Sequence, residues 1–152
     1  MLIDKKTLDT LSQQAKANPR LRQAFDLRTT PEDQSQRILN AVEPGTILPI
    51  HRHRVSTETI IVLRGKVVQH YYNDAGEKTA SFVLAPYPHE TSEALKQSET
   101  PETCACAMSV PVGQWHALES LEEGSVIFEC KDGAYQPLSA EDVLEVEVSG
   151  KD

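Results

Sequence analysis

Positive charge is in short supply in this chain of 152 residues: 15 Lys and Arg stand against 23 Asp and Glu, a net charge of −8. A nucleic-acid backbone or an anionic membrane surface needs a basic face, so neither is expected as a partner. Cysteine is scarce and odd in number, three in all, which agrees with a reducing compartment. No apolar run is long enough to cross a bilayer. The first residues, Met1-Leu-Ile-Asp-Lys-Lys6, carry charge and lead into no apolar stretch of the kind a secretory signal needs. The cytoplasm is the expected location. No internal repeat is visible. A chain of this length fits one domain that buries roughly two thirds of its unfolded surface.

What the chain has instead is a series of short segments with a period of two. Before them, Asp4 to Asn18 reads as a helix, capped by Asp4, with Leu8, Leu11 and Ala15 at three- and four-residue spacing and Pro19 as its stop. Arg20 to Arg28 is mixed and arginine-rich, a short helix or an extended arm. From Arg37 the pattern is that of strands: Arg37–Val42, Glu58–Leu63, Lys66–Tyr72, Lys78–Ala85, Thr103–Val110, His116–Ser120 and Ser125–Lys131. Asn73-Asp-Ala-Gly76 is a hairpin turn, and Pro86 to Pro101 reads as a polar loop over one end. A short helix is expected after Ser139. Many short strands punctuated by glycine and proline predict an all-β, small antiparallel barrel or jelly roll. The expected organisation is an N-terminal helical segment (1–33) packed on the barrel, the barrel itself (34–137) and a tail (138–152). Both faces of Glu58–Leu63 are apolar, so one lines the interior and the other needs a cover, from the N-terminal segment or a second subunit. A homodimer is expected.

The stretch from Gly45 to Gly65 organises the rest. His51 and His53 are two apart, so on an extended chain they share a face. Glu58 is five residues past His53 and would fall on the opposite face of an unbroken strand. Arg54-Val-Ser-Thr57 must therefore turn the chain and bring Glu58 back beside the histidines. Two imidazoles and a carboxylate make a metal site short of one ligand. Pro111-Val-Gly113-Gln-Trp-His116, a turn delivering a histidine to a strand, supplies the candidate.

The pattern Gly45-x5-His51-x-His53-x4-Glu58-x6-Gly65, followed by Pro111-x-Gly113-x2-His116, resembles the two motifs of the cupin superfamily. Within it the chain is similar to the bacterial WbuC-family cupin-fold metalloproteins. Gln36-Arg37, Glu43-Pro-Gly-Thr46, Val62-Leu-Arg-Gly65 and Glu129-Cys-Lys131-Asp-Gly133-Ala-Tyr135-Gln-Pro137 carry that similarity over residues 36–137. Ala117-Leu118-Glu119-Ser120 departs from the second motif, lacking an asparagine that is not a ligand. The resemblance implies an RmlC-like double-stranded β-helix, the cupin jelly roll, with a metal inside. The name of the WbuC group, tied to surface-polysaccharide loci, hints at sugars.

The expected ligands are thus His51, His53, Glu58 and His116, holding one divalent transition metal per chain. Three neutral imidazoles and one carboxylate suit Fe, Mn, Zn, Ni or Co and leave positions open for a substrate or water. No organic cofactor is indicated. Arg37, Glu129 and Tyr135, with Lys131, are candidates for the pocket, because a charge in an apolar strand is costly unless it is paired or faces a cavity. Trp115 either walls the pocket mouth or packs against the loop over it. His70 and His89 are isolated and read as packed or surface residues. Cys104 and Cys106, continued by Met108 and Val110, read as small buried thiols, and Cys130 receives no role. Three functions fit: a metal-dependent enzyme on a small polar, sugar-related molecule, such as an isomerase or epimerase; an iron-dependent dioxygenase; or a non-catalytic module binding a metal or small ligand.

Overall fold

In the computed structural model, which describes residues 1–87 and 105–144, the chain opens with helix α1, Lys5–Ala17. The Asp4 carboxylate accepts from the Thr7 backbone N–H at 2.9 Å, satisfying one of the helix's unpaired donors. Leu11, Ser12 and Ala15 form its buried stripe, and Asn18 ends it ahead of Pro19.

Ten strands follow. They are β1 (Arg22–Asp26), β2 (Ser35–Val42), β3 (Ile50–His51), β4 (Glu58–Arg64), β5 (Val67–Tyr72), β6 (Lys78–Leu84), β7 (Ala107–Val110), β8 (Trp115–Ser120), β9 (Ser125–Asp132) and β10 (Val143–Leu144). They form two five-stranded sheets, in the orders β1-β2-β9-β4-β7 and β10-β3-β8-β5-β6, with antiparallel pairing throughout. A parallel bridge, Leu84 to Ala105, lies outside those ladders. The architecture is an all-β jelly roll of two open sheets with a helix at its start, rather than a continuous closed barrel.

The segment Arg20–Arg28 resolves in favour of extended chain. β1 pairs with β2 over five residues, from Arg22 opposite Val42 to Asp26 opposite Ile38. Its side chains carry no apolar alternation, because an edge strand is held mainly by its backbone bonds. The expected turn of helix after Ser139 is present as a 3-10 turn, Ala140–Asp142, and its successor β10 closes onto β3. Arg52 and Arg54 both bond Asp142, pinning this end of the chain to the loop that follows β3.

Between the sheets lies a core that includes Val42, Val62, Val67, Leu84, Val110 and Leu118. On the outside of the first sheet, Leu11 and Ala15 of α1 pack on Leu39, Ala41 and Val126, with Leu63 at the margin. The second apolar face of β4 thus takes part of its cover from the N-terminal helix. Arg64, at the end of β4, ties the helix down: it bonds Asp9 at 2.6 Å, the Leu8 carbonyl at 2.9 Å and Ser12 at 2.6 Å. Gly65 then turns the chain at φ +80°, where an added Cβ would sit 2.7 Å from the Ser125 Cα. Only glycine fits that approach. The loop expected over the barrel mouth lies, from Pro88 onward, outside the described residues; so do His89 and Cys104. No described helix is long and apolar enough to cross a membrane.

Candidate metal centre

Strands from both sheets deliver the four sequence-predicted ligands. β3 ends at His51, which pairs directly with His116 near the start of β8. His53 lies just beyond β3, and its carbonyl accepts from the Gly113 N–H at 2.8 Å, tying it to the turn that presents His116. The loop after His53 carries the chain from the second sheet to the first. Glu58 therefore opens β4 facing the histidines across the interior, as the required change of register predicted.

One ligand atom from each of His51, His53, Glu58 and His116 lies within 4.8 Å of all the others. The His51 and His116 rings are 4.3 Å apart, and His53 is 5.1 and 5.5 Å from them. The His51 Nδ1 bonds the Pro49 carbonyl at 3.0 Å, and the His116 Nδ1 bonds the Gln114 carbonyl at 2.8 Å. A carbonyl only accepts, so each Nδ1 carries the proton and each Nε2 is presented to the cluster. Burial, then the neighbouring His116, lowers the His51 pKa to about 4, which keeps that ring neutral at pH 7. Burial opposes ionisation of Glu58. Hydrogen bonds to His116 and His53 and the charge of Lys131 outweigh it and hold the carboxyl well below its usual range.

The donor set fits a cation. The His116 Nε2 lies 2.9 Å from the Glu58 Oε2, and the His53 Nε2 lies 3.2 Å from the same oxygen. With its Nδ1–H committed to Gln114, His116 can also donate to Glu58 only if both ring nitrogens carry protons. A cation between the Nε2 and the carboxylate oxygen takes the place of that second proton. Adjacent ligands at about 2.1 Å from a metal and at right angles are about 3 Å apart, close to both separations.

The cluster stands between two spaces. On the inner side is a cavity of about 360 Å³, with Asn40, Gln69, Glu129 and Lys131 in its wall. On the outer side is a groove of about 720 Å³ along Arg52–Ser56 and Asp132–Leu138. His51, Lys131, Tyr135 and Leu138 border both. The Lys131 Nζ lies 3.4 Å from the Glu58 Oε1. Glu129, one inward position along β9, accepts from the Asn40 side chain at 2.5 Å. Burial, reinforced by the negative charge of Glu58, raises the Glu129 carboxyl to about 7.

The other candidates separate by strand parity. Glu129, Lys131 and Tyr135 reach the cavity. Arg37 points to the opposite face of β2, pairs with Asp33 at 2.6 Å and is absent from the cavity wall. Trp115 also points outward. It packs with Ile50 and Ala117, bonds Asp74 through its Nε1 at 2.9 Å and lies under the Arg52 guanidinium. His70 is buried on that outer face between Ser81 and Glu119. Cys106 and Cys130 are half-buried free thiols.

Sequence reasoning missed three cavity residues. Asn40 and Gln69 sit at inward positions of β2 and β5, and a polar residue at an inward position was the available signal. Arg22 had none, since β1 carries no alternation; burial lowers its pKa, and its Nη1 bonds the Ile47 carbonyl at 2.6 Å.

A family model described as Domain of unknown function (DUF6016) matches residues 3–84. No curated protein matches the chain at a significant level. Among solved structures, the chain resembles KdgF from Halomonas sp. at 17% identity and a TM-score of 0.50, covering 76% of this chain and 82% of that one. Capsular polysaccharide assembling protein CapF from Staphylococcus aureus aligns at 19% identity and a TM-score of 0.58, over 86% of this chain and 33% of its own. Recombinant oxalate oxidase in complex with glycolate aligns at 12% and 0.57, over 81% of this chain and 56% of its own. This chain therefore spans about a third of CapF and about half of oxalate oxidase. The cupin domain of Schizosaccharomyces pombe Cnp3 shares the fold as well. The fold is that of the cupin superfamily, and its histidine–glutamate group is of the kind that holds a metal.

Proposed function

The chain belongs to the DUF6016 family, and we propose that it is a cupin metalloenzyme acting on a small polar molecule. One divalent transition metal, Fe, Mn, Zn, Ni or Co, would be held by His51, His53, Glu58 and His116. One observation carries this reading: four ligand atoms converge within 4.8 Å, two of the rings fixed by backbone carbonyls so that Nε2 points inward. When bound, such an ion acts as a Lewis acid toward a carbonyl or carboxylate, or acidifies a bound water.

The remaining work falls to the chain's own side chains. Glu129, whose carboxyl is raised to about 7 by burial and the charge of Glu58, can both give and take a proton near neutral pH. Lys131 offsets the charge of Glu58 and offers a cation to a substrate carboxylate. Tyr135, its ring under the Arg28 guanidinium at 5.2 Å, stands where the cavity meets the groove. Isomerisation or epimerisation of a hydroxylated carbonyl compound uses these groups most directly. The resemblance to the WbuC group, and the capsular polysaccharide named for CapF, favour a sugar-related substrate. A homodimer in a reducing cytoplasm belongs to the same proposal, and light scattering reads its mass.

The test is elemental analysis of protein purified without added metal or affinity-tag nickel, beside Glu58→Gln and His116→Ala. About one metal per chain, lost in both variants, supports the ligand set; metal-free wild-type protein overturns it. A second reading, an iron-dependent dioxygenase, rests on the same ligands and on the likeness to oxalate oxidase. Oxygen uptake supports it, and stoichiometric zinc removes it. A non-catalytic module would lose melting temperature with its metal and show no turnover.

A further inference from the structure

One side chain in the cavity wall has no partner at all. Gln69 has no exposed surface, and neither its Nε2 nor its Oε1 makes a hydrogen bond. Buried polar groups are nearly always paired, so an orphan of this kind needs an explanation. Its place in the fold supplies one. Gln69 faces inward from β5 opposite Leu118. That is two residues along β8 from His116, about 7 Å deeper toward the apolar core. It lines the same cavity as the Glu58–His116 pair. From the facing sheet, the same cavity receives Asn40 and Glu129, already bonded to each other.

We propose that Gln69, with Asn40 and Glu129, forms a second binding site at the inner end of the cavity, which takes the hydroxyl-bearing part of a compact polyhydroxylated ligand. The chemistry selects hydroxyls. The Gln69 amide needs one partner that accepts and one that donates. A hydroxyl does both at once. A carboxylate only accepts and leaves the Gln69 Oε1 unpaired; an ammonium only donates and leaves the Gln69 Nε2 unpaired. Size sets the second limit. A cavity of about 360 Å³ holds about a dozen non-hydrogen atoms at the volume a water takes in the liquid. That suits a four- to six-carbon polyol, sugar or sugar acid, or the end of a longer molecule lying in the outer groove. One end of the ligand would approach the histidines and the other would reach Gln69. The proposal deepens the function given above and rests on its reading of the cavity as a substrate site, while leaning on a residue that no metal touches.

The test compares xylitol and D-xylonate with pentanoate, a five-carbon chain without hydroxyls. Ligand-observed NMR and calorimetry are run on full-length protein, both metal-loaded and chelated. Xylitol or xylonate is expected to bind at least tenfold tighter than pentanoate. Gln69→Leu is expected to erase that preference, keep the wild-type metal content and melt at the same or a higher temperature, since an apolar side chain of similar size suits a dry wall. Gln69→Met repeats the measurement with an unbranched side chain should the leucine fail to fold. Equal binding of hydroxylated and bare chains, no binding of either sugar derivative, or an unchanged preference in the variants overturns the proposal and leaves Gln69 solvated by water alone. Wild-type protein that takes up no added metal yet still prefers xylitol or xylonate through Gln69 overturns the metal reading and keeps this one.

Discussion

The inward residues of the four central strands change character in the same direction. Along β4 they run Glu58, Ile60, Val62; along β9, Lys131, Glu129, Ile127; along β8, His116, Leu118; along β5, Tyr71, Gln69, Val67. Register aligns these series, since Glu58 lies opposite Lys131, Val62 opposite Ile127, His116 opposite Tyr71 and Leu118 opposite Gln69. One end of the interior is therefore packed hydrocarbon, and the other is a charged cavity built on the same strands. The packed end supplies stability through burial and close contact. The charged end costs stability, because a buried orphan amide or a desolvated carboxyl is worse off there than in water. Each strand thus packs the core at one end and lines the cavity at the other.

The difference between the ends can be probed by removing a residue from each. Leu84, fully buried in the packed end, is the place for the largest effect. Leu84→Ala should lower unfolding stability by about 2–5 kcal/mol in urea titrations, yet leave metal content per folded chain unchanged. His116→Ala should do the reverse. With metal at about a thousandfold excess over its dissociation constant, wild type gains about 4 kcal/mol that the variant lacks. In chelator most of that gap should close, and a persisting gap would mean that the histidine serves the core.

Within the charged end, two groups oppose each other in pH. His51 resists protonation down to about pH 4 in the fold but takes a proton near 6.5 when unfolded. Its contribution to stability is lost as pH falls from about 6.5 to 4. Glu129 keeps its proton up to about pH 7 in the fold but loses it near 4.5 when unfolded. Its contribution is lost as pH rises from about 4.5 to 7. Each shift amounts to about 3 kcal/mol at most. Metal-free wild type should therefore show nearly flat stability between pH 4.5 and 6.5. Glu129→Gln removes one side of the balance, and its stability should fall steadily with acid over that window. A flat profile in the variant would show that His51 is solvated.

The smallest effect belongs to neither end. Asp4→Ala removes the cap of α1 and should cost about 1 kcal/mol, with metal content and the pH profile untouched.

The sequence carried the histidine–glutamate cluster better than the cavity behind it. His51, His53, Glu58 and His116 could be read because a ligand set imposes both residue type and spacing, and the change of register before Glu58 follows from strand geometry. The core strands could be read from their alternation, and α1 from its cap and spacing. Gln69 and Asn40 were hidden because one polar residue in an apolar strand looks the same whether it lines a cavity or faces water. Only the pairing partners decide, and those are set by other strands. Arg37 shows the converse: a charge in a strand resembled a pocket residue, while the parity of β2 turns it outward to Asp33. β1 was hidden because backbone pairing holds it, and backbone pairing leaves little trace in side chains.

The division of the ligand set along the chain bears on the order of folding. Three members lie within residues 51–58, and the fourth, His116, meets them through the pairing of β3 with β8. A nascent or partly folded chain offers at most the weak three-donor set His51, His53 and Glu58, because closing a loop of that length comes late in assembly. Tight metal capture thus becomes a timestamp: an ion that binds firmly reports that the second sheet has closed. Time-resolved metal uptake during refolding should therefore lag behind the burial of Trp115.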